Sequence, residues 1–138
     1  MKHILLVAFF VIVTGVLFSQ VPVEIENMAE DYNGKMLVTK FRDLIRGSTA
    51  YEIDYGSKNP HFVVQISTID KFKGEVQWEN HTTIYNYTIM MKTEAGYRIY
   101  CFSMLGYVGK NRLDETAYQI YSDLDSYVEN FKYYFEDN

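Results

Sequence analysis

The sequence predicts an α+β chain, a two-layer α/β sandwich in which a mixed sheet of about five strands carries two helices on one face. Three observations predict it. Apolar residues recur at helical spacing early in the chain, at Leu37, Phe41, Leu44 and Ile45. They recur again at Leu113, Ala117, Ile120, Leu124, Val128, Phe131 and Phe135. Between these stripes lie two β-rich arms within Thr82–Leu105, joined by Thr93-Glu94-Ala95-Gly96. Helices and a sheet that are each apolar on one side must bury those sides on one another.

Taken in order, Val21-Pro22-Val23-Glu24-Ile25 alternates and reads as a short edge strand, where the missing donor of Pro22 costs little. Glu26–Tyr32 is acidic and reads as a loop or the start of a helix. Asn33-Gly34 offers the first helix start. Lys40, Arg42, Asp43 and Arg46 fall off the apolar stripe, and basic Arg46 suits the negative end of the helix dipole. Gly47 is placed to cap this helix. Tyr51, Ile53 and Tyr55 then alternate with Glu52 and Asp54, a strand with one wet face. A turn follows over Gly56–Pro60.

Phe62–Ile69 is apolar on both faces near its start, which places it centrally in the sheet. Asp70–Asn80 reads as a loop, with Val76 and Trp78 starting the next strand. In the hairpin, β-branched and aromatic residues dominate both arms, and Gly96 supplies the positive φ that closes a bulged turn. Its odd positions, Tyr85, Tyr87, Ile89, Met91, Ile99, Cys101 and Leu105, form the expected core face. The even face mixes Asn86, Thr88, Lys92 and Arg98 with Met90, Tyr100, Phe102 and Met104. Gly106–Lys110 reads as a connection and Asn111 as the cap of the last helix, with Asp114 and Glu115 in its first turn.

Length and composition bound the rest. The 138 residues hold one domain, 21–138, behind a leader at 1–20. Lys2 and His3 precede an apolar run from Ile4 to Phe18, and small Ser19 marks a cleavage edge: the layout of a secretory signal peptide. The alternative is a retained membrane anchor; the run is shorter than the roughly 20 residues that a spanning helix needs. Without Lys2, twelve basic residues face eighteen acidic ones. Such a surface repels phosphate backbones and anionic lipid, so neither nucleic acid nor membrane is an expected partner after cleavage. Cys101 is the sole cysteine, so a bacterial periplasm or the cell exterior fits better than a disulfide-stapled eukaryotic setting. Cys101 itself reads as a small buried apolar residue. Asn80-His81-Thr82 and Asn86-Tyr87-Thr88 match the glycosylation pattern, as chance does in such a protein.

Three segments resemble the N-terminal domain of TolB, a periplasmic partner-binding module, and its small α/β relatives. They are Leu37–Ile45, the strand holding Tyr51-Glu52-Ile53, and Asn59-Pro60-His61-Phe62-Val63-Val64. Gln65 and Ile66 stand where that family carries a glycine, and no propeller follows. The resemblance implies an envelope location and a protein-binding role, and carries over no catalytic residue.

The chemistry-bearing residues form no catalytic constellation. Outside the leader only His61 and His81 remain, both read as surface residues at strand ends. A metal site would need His61, His81 and Asp54 to converge, which no spacing requires, so neither metal nor cofactor is expected. Gly106-Tyr107-Val108-Gly109-Lys110-Asn111 lacks the Gly-Lys-Ser/Thr of a phosphate loop. The aromatic content is the functional signal: 13 tyrosines and nine phenylalanines suit an interface, since tyrosine buries area yet tolerates water. The expected function is therefore a non-enzymatic domain that binds a protein partner or itself through Met90, Tyr100, Phe102 and Met104. The alternative is a small enzyme or ligand binder with a cleft near His61, His81 or the Gly106–Asn111 loop.

Overall fold

The structure, a computed structural model, describes residues 20–57 and 60–132. The expected leader cleavage, Phe135 and Tyr134 lie outside the described residues. Five strands form one sheet: β1 (Val21–Ala29), β2 (Tyr51–Ile53), β3 (His61–Asp70), β4 (Thr82–Lys92) and β5 (Arg98–Gly109). Helix α1 (Tyr32–Gly47) follows β1, and α2 (Leu113–Phe131) follows β5 through a single 3-10 turn at Lys110–Arg112. The strand order is β2-β1-β3-β4-β5. β1 runs parallel to both neighbours, whereas β3, β4 and β5 are antiparallel, so the sheet is mixed as expected.

Both helices cover one sheet face. α1 buries Leu37, Val38, Phe41 and Ile45, and α2 buries Leu113, Ala117, Ile120, Leu124 and Val128. They meet Val23, Phe62, Val64, Ile66, Tyr87 and Ile89 of the sheet in one core. Lys40 reaches Asp114 at 2.6 Å, and Ser48 shares a hydrogen bond with Tyr121 at 3.0 Å. The two contacts advance together along the chain, so α1 and α2 run in the same direction.

Several boundaries differ from expectation. β1 is a nine-residue strand and lies inside the sheet, because β2 pairs on its outer side. Pro22 is tolerated there because pairing with β3 begins only at Val23. Asp31, not Asn33, caps α1: its carboxylate accepts from Gly34 N at 3.3 Å and from the hydroxyls of Thr68 and Thr83. Gly34 is required at this junction, since a Cβ there would lie 1.7 Å from Thr68 Oγ1. Ser48, rather than Gly47, caps the end of α1. Val76 and Trp78 sit in the turns that precede β4 and start no strand. Asp70 shapes that loop by accepting from Phe72 N and Asn80 N. The Gly106–Gly109 stretch extends β5 instead of leaving the sheet, and Asn111 makes no cap, because Arg112 precedes α2 without a side-chain cap bond.

Candidate functional site

The hairpin turn forms as expected, with Gly96 at φ +84° and hydrogen bonds between Thr93 and both Gly96 and Tyr97. On β4 the alternation also holds: Thr83, Tyr85, Tyr87, Ile89 and Met91 are buried under the helices. β5 departs from it. Ile89 pairs with Phe102 but Met90 with Tyr100, so Cys101 is an extra, bulged residue. A bulge inverts the parity of everything beyond it. Phe102, Met104, Gly106 and Val108 therefore face the helices, and Ser103, Leu105 and Tyr107 face outward.

This corrects the face expected for two of the four candidate partner-binding residues. Phe102 is half-buried and stacks on Tyr127 of α2 with ring centroids 5.5 Å apart. Met104 lies on the helix side too, with its sulfur 3.6 Å from Tyr87 Oη. Met90 and Tyr100 do lie on the outer face, as neighbours in one row. Leu105, expected on the core face, and Tyr107, expected in a connection, join that outer face instead. The uncharged run that continues through Val108 marks the longer strand but not which face each residue takes. The outer face is also wetter at its centre than expected: Asn86, Thr88 and Ser103 hydrogen-bond one another, and Gln65 bonds Glu26.

β5 stands out as a whole. It is twelve residues long and, among the described residues, paired only with β4. Tyr100, Leu105 and Tyr107 are 64%, 70% and 69% exposed on the outer side, and Ile99 and Met104 are 43% and 38% exposed on the helix side. The sheet thus overhangs its helix layer by one strand, and α2 covers β5 chiefly through the Phe102–Tyr127 stack. From Ile99 to Gly109 no residue is charged. Soluble proteins usually protect such an edge with lysine, proline or bulges. Here the Cys101 bulge is the one such device within the strand. Gly106 has a packing reason: a Cβ would sit 2.6 Å from Tyr85 Oη, so the Tyr85 ring occupies the place of its side chain.

The residues of the alternative reading do not converge. His61 is fully buried, contrary to expectation, because β1 and the turn after β2 close over it. Its Nε2 lies 2.7 Å from Glu24 and its Nδ1 3.2 Å from Asp54. Burial pushes the Asp54 carboxyl up, but donors from Ser57 and the nearby His61 bring it below its ordinary value. Lys92 lies 3.7 Å from Glu24, and Arg98 pairs with Glu26 and holds that carboxyl low as well. This network ties β1, β3, β4 and β5 together on the outer face. His81 lies at the other end of the sheet, next to Lys110, whose N–H donates to His81 O at 3.4 Å. A cleft of about 220 Å³ is lined by Glu30, Asp31, Tyr32, Asp70, Lys73 and Asn80, with neither histidine. Asp31 and Asp70 there already accept internal donors. Among the described residues no cluster of histidine, cysteine and carboxylate side chains is arranged to hold a metal ion.

Cys101 is half-buried at the bulge, and burial pushes its thiol up, away from the reactive thiolate. Among the described residues no helix is long and apolar enough to cross a membrane. No protein-family model matches the chain, and no curated protein matches it.

Proposed function

We propose that the chain is a non-enzymatic domain of the bacterial periplasm or cell exterior that recognises protein through its overhanging β5 strand. One observation carries the reading: an edge strand that is uncharged from Ile99 to Gly109 and exposes apolar side chains on both faces. Main-chain donors and acceptors along such an edge supply affinity, and side chains at alternate positions supply specificity. Leu105, Tyr107, Tyr100 and Met90 form the outer contact, with Met104 and Ile99 on the opposite face. The basic start and apolar run before Ser19 support the location.

The experiment is site-specific photo-crosslinking in the cell envelope. A benzophenone side chain at position 105 is expected to trap protein, whereas the same group at Tyr118, exposed on α2, is not. Equal trapping from both positions, or none from 105, overturns the reading. Mass spectrometry of the mature chain is expected to find a new N-terminus near Gln20.

A further inference from the structure

We infer that the protein bound at β5 is a second copy of this chain, paired antiparallel so that two sheets continue as one. The inference rests on the reading of β5 as the binding edge. Four features of the molecule select a copy of itself.

The two sheet edges are unequal. The far edge is stepped, three residues of β2 and then the side of β1 beyond Val23 that pairs with no described strand, whereas β5 offers twelve residues in one strand, so head-to-tail growth has no single strand of matching length. Self-pairing of β5 uses the same patch twice and closes at two subunits.

Charge confines a copy to this strand. The chain carries a net charge of −5, so like copies repel at most surfaces. Ile99–Gly109 is the exception, a long edge along which no carboxylate opposes another.

Symmetry then limits the register. A two-fold axis normal to the sheet keeps both helix layers on one side. Residues opposite each other in antiparallel strands share a face, so the axis must pass through a residue and not between two. With the axis at Gly106, Leu105 faces the partner's Tyr107 on the outer side, and Met104 faces the partner's Val108 on the helix side. Each pairing occurs twice, and aliphatic–aromatic cross-strand pairs are favourable. Gly106, with Tyr85 packed over it, lets the two backbones meet at the axis without a side chain between them.

The overhang makes room. Two adjacent bare strands are about 10 Å wide, close to the diameter of one helix. The two helix layers therefore clear each other, and the exposed Met104 of both copies lines the groove between them, while Ile99 and Tyr100 lie beyond the paired stretch Ser103–Gly109.

Sedimentation velocity from micromolar to millimolar protein is expected to show a reversible monomer–dimer equilibrium. Leu105→Lys is expected to raise its dissociation constant at least tenfold while the circular dichroism and melting curve of the dilute monomer stay those of the native chain. Tyr107→Lys serves as the second edge variant. In a Cys101→Ser background, mixing Leu105→Cys chains with Tyr107→Cys chains is expected to give a disulfide-linked dimer that neither variant forms alone. A monomer at every concentration overturns the inference, as does a dimer indifferent to both lysine variants. Cross-linking by one cysteine variant alone to the same extent as the mixture overturns the Gly106 axis. The photo-adduct at position 105 separates this idea from the one beneath it. An adduct of twice the chain mass supports the copy. Adducts solely with other proteins overturn the copy and leave β5 as a binding edge.

Discussion

β4 and β5 are two arms of one hairpin, alike in length and composition, and they meet opposite fates. Every odd residue of β4 from Thr83 to Met91 is buried. β5, one strand further out, keeps a single residue buried, Val108. The difference is position in the layer and not chemistry. β4 lies under the helices with a neighbour on each side, while β5 extends past them with one neighbour. The same side-chain types thus serve as core in one arm and as surface in the other.

The comparison is sharpest at Ile89, which is fully buried. Ile89→Ala is expected to cost about 2–5 kcal/mol in denaturant unfolding, the range for cavities left by large aliphatic residues. A cost near zero would mean that the helices do not close over β4.

Phe102 tests the bulge. Packed between Tyr87 and Tyr127, Phe102→Ala is expected to cost about 1–3 kcal/mol, less than a full core phenylalanine because one side stays open. Without the bulge, Phe102 would face outward and its loss would hardly change stability.

Tyr87 tests the helix contact from the side of charge. Burial, together with a hydrogen bond to Asp123, pushes its hydroxyl well above the ordinary value near 10. Tyr51 is raised in the same way by burial and by Asp125. A folded-state value above the unfolded one gives stability that is complete below pH 10 and is lost as pH rises beyond it. Unfolding free energy measured at rising alkaline pH is expected to fall, and Tyr87→Phe to shrink that fall. An identical decline in the variant would place Tyr87 outside the contact.

The smallest effect is expected on β5 itself. Leu105→Ala is expected to change monomer stability by less than about 0.5 kcal/mol, as exposed substitutions do. A loss comparable to Ile89→Ala would show that something covers this strand within one chain, and the comparison between the arms would fail.

The sequence by itself determined the elements with local periodicity. The two helical stripes, the second as far as Phe131, the odd face of β4, the central place of β3 and the turn at Gly96 all rest on residues that are neighbours along the chain, and all are found. Helix spacing and strand alternation are written within a few residues. Tertiary structure alone decided three other matters. The bulge at Cys101 is a choice of register between two strands, and a shift of one residue moved Phe102 and Met104 to the opposite face. His61 became a buried pin because Glu24, 37 residues earlier in the chain, arrives beside it on β1. β5 became the exposed edge because α2 packs inward along α1 and leaves it bare. Each of these depends on which strands and helices become neighbours, and that depends on packing the whole chain into two layers.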